Sequence, residues 1–184
     1  QTNTVIARND KIAAQNKINC KNYTPKLIRE WCRREQHEIF NMKTLLQEGW
    51  QWGRDLYNGI GGPYGLIIVD DVLQFCPKHL VAEFMNQCFD SLTAGGYLEV
   101  RIPTTDGRAA FLDPRAENHM NASSFLNYTR SLFARKNADI RCQFHLVQAY
   151  NDFPDDFHKE HDLAYATIHL AAPKGQRWPG LKHI

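Results

Sequence analysis

Several groups of side chains have the types and spacing to do chemistry. Asp113, His119 and Asn121 share one polar stretch, residues 104–122, that carries little apolar periodicity. An imidazole titrates near neutrality, so His119 could take a proton from a hydroxyl or an amine, with Asp113 and Asn121 as its companions in a candidate catalytic group. Asp70 and Asp71 close a continuous apolar run, residues 64–71. Paired carboxylates there either accept hydrogen bonds from an ammonium or another donor, or cap the helix that Pro77 opens. Residues 155–162 gather His158 and His161 with Asp155, Asp156, Glu160 and Asp162. These are ligand types for a divalent cation. The order is not HExxH and it falls on an expected turn, where charges simply solvate, so no metal site is assigned. Arg29, Arg33 and Arg34 surround Trp31, a mix that can hold phosphates. Glu30, Glu35 and Glu38 cancel their charge, so an exposed helix face is the better reading and nucleic acid is not an expected partner.

These groups need a scaffold. The chain has 184 residues, of which 43% are hydrophobic and 23% charged. That length fits one domain with a core of its own, here residues 1–184 with a strap at 1–23 and a tail at 173–184. Lys and Arg number 22 against 20 Asp and Glu, a formal charge of +2. This excludes a strongly basic nucleic-acid clamp and an acidic disordered chain. No run approaches the roughly 20 apolar residues of a membrane helix, and residues 1–16 hold no apolar signal core. The five cysteines, Cys20, Cys32, Cys76, Cys88 and Cys142, show no CxxC pair. They read as reduced packing thiols in a reducing, cytoplasmic setting.

Thr24-Pro25 predicts a helix start, with Thr as cap and Pro in the first turn. From Leu27 to Leu46 apolar residues recur near a helical period, and Gly49 marks the stop. A short strand is expected at residues 4–7. Residues 64–71 read as a strand buried on both faces, the kind found in parallel sheets covered by helices. Pro77 begins a helix carrying Leu80, Val81, Phe84, Met85, Cys88 and Phe89, ended by Gly95-Gly96. Residues 97–102 form the next strand. Ser123 or Ser124 caps a helix through Phe125, Tyr128 and Leu132. Strands at 141–152 and 162–172 make an antiparallel hairpin. The sum is α/β: a Rossmann-like, mostly parallel sheet with helices on both faces and a C-terminal antiparallel hairpin. Ligands in such sheets bind beyond the carboxyl ends of the strands, which points at Asp70, Asp71 and the loop after Pro103.

The stretch Tyr64-Gly-Leu-Ile-Ile-Val-Asp-Asp-Val-Leu-Gln-Phe-Cys-Pro77 followed by Ser91-Leu-Thr-Ala-Gly-Gly-Tyr-Leu-Glu-Val-Arg-Ile-Pro103 resembles the second half of a class I S-adenosylmethionine-dependent methyltransferase. The family pattern there is an apolar strand, "V-L-E-H", a helix, and "L-x-P-G-G-x-L-x-I-x-x-P". Asp113, Pro114, Asn121, Ser124, Phe125, Tyr128 and Thr129 also fall on a loop found in some members. The resemblance implies S-adenosylmethionine as cofactor, held near Asp55, Leu56, Asp70, Asp71, Val72 and Leu73, with Asp55 on the adenine amino group and Leu56 covering the ring. It implies methyl transfer to an oxygen or nitrogen acceptor lying under the loop after Pro103. Gln74, Phe75, Ala116 and Met120 stand where the family has Glu, His, His and Trp, and no glycine-rich loop is found. The alternative is therefore a catalytically inactive structural or regulatory subunit. A protein partner or a second copy of the chain is a further expectation.

Overall fold

In this computed structural model residues 24–174 are described. The strand expected at residues 4–7, Cys20, and most of the strap and tail lie outside them.

Helix α1, Pro25–Arg34, starts as expected: the Thr24 hydroxyl accepts from the Leu27 amide at 3.3 Å and Pro25 fills the first turn. It does not continue to Leu46. The backbone turns left-handed at Gln36 (φ 58°) and the chain enters β1, Glu38–Asn41. The long helix is corrected into helix, strand and helix. Ile39 and Phe40 keep the spacing of a helical stripe, yet here they pair with a neighbouring strand, and tertiary pairing outweighs local propensity. Asn41 then caps α2, Met42–Gln47, accepting from the Lys43 amide at 3.0 Å. Gly49, with φ 96°, stands just past its end, as glycine does at many helix stops. A short helix α3, Trp52–Asp55, leads through a 3₁₀ turn to β2, Tyr64–Asp70.

After β2 come two 3₁₀ turns, Leu73–Phe75 and Lys78–Leu80, then α4, Val81–Ser91. This helix ends before Gly95-Gly96, because β3 already begins at Leu92 and runs to Pro103. The expected helix at 123–133 is three short pieces: a 3₁₀ turn Ala122–Phe125, α5, Leu126–Thr129, and α6, Ser131–Ala134. Asn121, not a serine, precedes the first piece; Ser124 Oγ reaches back to accept from its amide at 3.1 Å. The closing hairpin is β4, His145–Asp152, and β5, Tyr165–Ala171. Its turn holds one helical segment, α7, Asp156–Glu160.

The strand order is β1-β2-β3-β5-β4. β1, β2 and β3 pair in parallel, and β5 runs antiparallel to both β3 and β4. Only β5 opposes the rest, so the sheet is mostly parallel with an antiparallel hairpin at its end. Strand residues alternate between faces. Ile67, Val69, Leu98, Val100 and Ile102 meet Phe84, Met85 and Cys88 of α4 in the main core. Leu66, Tyr97 and Ala171 meet Ile28, Trp31 and Cys32 of α1 on the other face. Helices therefore cover both faces, which is why β2 is apolar along nearly its whole length. Gly65 makes the α1 contact possible: a Cβ there would sit 2.5 Å from His37 Cβ and 2.9 Å from Cys32 Sγ. Cys32, Cys76, Cys88 and Cys142 are free and buried, and burial pushes the Cys76 and Cys142 thiols up to about 12. No described helix is long and apolar enough to cross a membrane.

Candidate functional site

The carboxyl ends of β2 and β3 carry a connected set of polar groups. Register puts Asp70 opposite Arg101, and Asp152 opposite Tyr165 at the start of β5. Arg101 reaches both carboxylates, at 3.8 Å to Asp70 and 3.9 Å to Asp152, and lies 4.5 Å from the Tyr165 ring centroid. The guanidinium thus neutralises two strand ends while stacking on an aromatic face. Burial first, and the Asp71 charge next, push the Tyr165 hydroxyl above its ordinary value.

Asp71 leaves the strand in the left-handed region, φ 56°, a conformation that Asp tolerates better than most residues. Its amide still donates to the Arg101 carbonyl at 2.8 Å, extending the ladder by one bond. The Gln74 side chain holds it in place: Nε2 donates to the Asp71 carbonyl at 3.2 Å and to Oδ1 at 2.8 Å. Because Nε2 must face those acceptors, Oε1 faces away. It is buried and accepts no hydrogen bond from the described residues; Asp70 Oδ1 is likewise buried without a hydrogen bond, its ion-pair partner Arg101 standing off at 3.8 Å. Two buried acceptors without a hydrogen bond at one strand end leave room for a donor-bearing ligand or solvent.

The loop after Pro103 closes over the next turn. Thr105 donates its amide to the Met120 carbonyl at 2.9 Å, pinning the loop's two ends together. The Glu117 and Asn118 amides donate to the Gln74 carbonyl at 2.8 and 3.1 Å, and Asn118 Nδ2 reaches the Leu73 carbonyl at 3.2 Å. Val72 and Leu73 lie beneath this latch, with Leu73 wholly inaccessible.

The residues singled out from sequence are differently placed. Asp70 and Asp71 stand at the tip of a parallel strand and are partly exposed. Leu56 and Leu73 pack in the main core, so neither side chain presents a surface to a ring in this conformation. Asp55 is committed to its own helix: Arg54 donates to both oxygens at 2.9 and 2.7 Å, and the Gln51 amide at 2.8 Å. The Arg54 hydrogen bond and then the Gln51 amide hold its carboxyl below the usual range. The catalytic group expected in the loop is not assembled. Asp113 binds Arg115 at 3.0 and 2.7 Å, which lowers its carboxyl to about 2. His119 stacks on the exposed Phe111, ring centroids 5.2 Å apart. Asn121 donates to Thr105 Oγ1 at 3.0 Å. Each has a different partner: Asp113 is held by Arg115 two residues on, His119 by Phe111, and Asn121 by Thr105 at the loop's other end.

Residues 155–162 do not gather around a common point either. Asp155 caps α7 and binds the His158 ring at 2.6 Å, whereas His161 Nδ1 faces the Phe157 carbonyl at 2.8 Å. No group of three or more His, Cys, Asp or Glu suited to a metal occurs among the described residues. Sequence reasoning missed Gln74, Arg101, Asp152 and Tyr165. The usable signal was a charged residue, Arg101, inside an apolar strand one position from its end.

No protein-family model matches the chain, and no curated protein matches it. Among solved structures it is similar to an S-adenosylmethionine-dependent methyltransferase from Archaeoglobus fulgidus, at 10% identity over 77% of this chain and 79% of that one, TM-score 0.46. It is also similar to the N-methyltransferase NodS of Bradyrhizobium japonicum, at 13% identity over 82% of this chain and 64% of that one, TM-score 0.43. A third is the 1,6-didemethyltoxoflavin-N1-methyltransferase of Burkholderia thailandensis, at 8% identity over 60% and 44%, TM-score 0.42. The chain spans less than two thirds of the length of these last two.

Proposed function

We propose that the chain is an S-adenosylmethionine-dependent methyltransferase-like protein that transfers a methyl group to an oxygen or nitrogen acceptor. The observation that carries this reading is the tip of β2. The strand lies between two parallel neighbours and ends at Asp70, with Asp71 turning off it. There Asp70 Oδ1 and Gln74 Oε1 are buried acceptors with no hydrogen bond from the described residues, and Asp70 has only the Arg101 ion pair at 3.8 Å. Strand ends of such sheets are where ligands bind. S-adenosylmethionine is rich in donors, with an ammonium, two ribose hydroxyls and an adenine amine, so this acceptor set fits it. When bound, the group supplies an electrophilic methyl. Asp70 and Asp71 would meet its donors, and the latched loop after Pro103 would shield the reacting atoms from water. Catalysis would then rest on alignment and on fixed charge rather than on a covalent intermediate.

Calorimetric titration with S-adenosylhomocysteine tests it. Micromolar binding, weakened at least tenfold in Asp71→Asn, supports the reading; Asn keeps the left-handed backbone but removes the charge. Absence of heat at millimolar ligand overturns it.

One observation favours a catalytically inactive subunit instead. The chain passes from β1 straight into α2 through Asn41, with no glycine before Gly49, so that turn has no glycine to let a ligand approach the backbone closely. A folded, partner-bound protein that gives no heat with S-adenosylhomocysteine is the outcome this second reading expects.

A further inference from the structure

We propose that Asp155 and His158 form the proton-accepting pair of this site, which makes its acceptors hydroxyls or amines that give up a proton as they are methylated. The inference rests on the methyltransferase reading above.

His158 and His169 each pair with a carboxylate. His169, on Glu99, is 1% exposed and lies on the sheet face near α1, out of a ligand's reach. His158, on Asp155, borders the strand ends. Its ring centroid is 6.1 Å from that of Tyr165, which itself stacks under Arg101 and adjoins Asp71. The pair therefore belongs to the same end of the sheet as the buried acceptors of Asp70 and Gln74 that lack a hydrogen bond.

Capping alone explains part of the contact. Asp155 Oδ1 accepts from the His158 amide at 2.9 Å, as an N-cap does. It does not require the ring to turn back, yet Nδ1 lies 2.6 Å from the same oxygen. Phe157 packs edge-on against the imidazole at 5.8 Å and Tyr165 at 6.1 Å, so the ring is held from its sides. The Leu163 amide fixes the His158 carbonyl at 2.7 Å. With Nδ1–H donated to Asp155, the neutral ring keeps its lone pair on Nε2. Asp155 is thus a positioning residue, and His158 is the base.

A lone pair on the acceptor oxygen or nitrogen forms a bond to the methyl carbon. The bond from that carbon to the sulfonium sulfur breaks, and its electron pair stays on sulfur. The acceptor's proton passes to His158 Nε2, and the imidazolium so formed is stabilised by the Asp155 carboxylate. Solvent removes the proton afterwards.

The test is a nitrogen-15 imidazole spectrum of the full chain, recorded with and without S-adenosylhomocysteine and paired with calorimetry on the same samples. Neutral His158 should carry its proton on Nδ1, and Asp155→Asn, which keeps a capping side chain, should shift it toward Nε2. Saturating S-adenosylhomocysteine should move the His158 ring signals and leave those of His145, at the far end of β4, in place. His158→Gln should bind S-adenosylhomocysteine within about threefold of the parent affinity, while methyl incorporation from S-adenosylmethionine into phenols and primary amines falls about a hundredfold or more. A neutral His158 protonated on Nε2, ring signals unmoved while calorimetry shows binding, or unchanged incorporation in His158→Gln each overturns the pair and leaves the methyltransferase reading standing. No heat from the parent chain overturns both.

Discussion

Gln74 donates its side-chain amide twice to Asp71, at 3.2 Å to the carbonyl and 2.8 Å to the carboxylate, and so determines how the chain turns off the end of β2. The arrangement is selective for an amide. Gln74→Glu would aim a buried carboxylate at the Asp71 carboxylate. Near neutral pH we expect that variant to lose about 1–3 kcal/mol of stability, the cost of a buried polar group facing the wrong partner. In urea denaturation the loss should shrink as the pH falls and the new carboxyl takes a proton. Equal stability of the two proteins at pH 7 contradicts the contact.

Asp71 itself separates backbone from charge. At φ 56° a β-branched residue is strained, whereas Asn is not. Asp71→Val should therefore lower stability by about 1–2 kcal/mol more than Asp71→Asn does. Thermal melts of the two variants, made side by side, read the difference directly, and identical melting temperatures count against the left-handed turn.

Glu99 gives the fold an acid limit. Burial raises its carboxyl, but the His169 hydrogen bond and charge, together with the Arg29 guanidinium, outweigh it and hold the group below its ordinary value. A carboxyl with a lower pKa in the folded chain binds fewer protons there than when unfolded. Its stabilisation is complete above the unfolded value, near 4.3, and is lost as the pH drops through the folded one. Glu99→Gln should flatten that limb of the stability profile between roughly pH 5 and pH 3, leaving the neutral region less stable than the parent. A profile of unchanged slope in that range rules the contribution out.

What could be read from the sequence divides along the reach of the interactions. β2, α4, the strand through Tyr97–Ile102 and the hairpin were legible because each has its own local signature: an apolar run, a stripe after Pro77, or alternation. β1 was not. Its four residues sit between two helices, Ile39 and Phe40 fit the helical period from Leu27 onward, and only the pairing of Phe40 with Ile67 tells strand from helix. The site divides in the same way. Asp70 and Asp71 were visible because they end an apolar run. Gln74 was noted only as a departure from a motif, although its amide is what the left-handed turn needs. Arg101, Asp152 and Tyr165 meet through the antiparallel placement of β5, a relationship between residues more than fifty positions apart for Arg101 and either of the others. The loop misled in the opposite direction. Asp113 and His119 are near in sequence, but Arg115 is nearer still to Asp113 and captures it.

Gly65 lies directly against the α1 layer, and its replacement tests how α1 is seated. The glycine lies in β2 with negative φ, so its value is space rather than backbone freedom. A methyl group there would stand 2.5 Å from His37 Cβ and 2.9 Å from Cys32 Sγ, well inside van der Waals contact. The His37 backbone cannot easily withdraw, since its amide is bonded to the Cys32 carbonyl at 2.8 Å. Strain must then pass to α1, whose Trp31 ring packs 4.8 Å from His37 and 6.0 Å from Tyr97. Gly65→Ala should cost about 1–3 kcal/mol, as overpacking does, and should alter the environment of Trp31 more than that of Trp52, which packs edge-on against Phe84 on the other face. Indole proton shifts distinguish the two rings. If Trp52 moves and Trp31 does not, the strain enters the main core and α1 is not seated against β2 as the structure has it. If only Trp31 moves, the α1 layer yields by itself while the face that backs the Asp70–Asp71 tip stays intact, and ligand binding at that tip should survive the substitution.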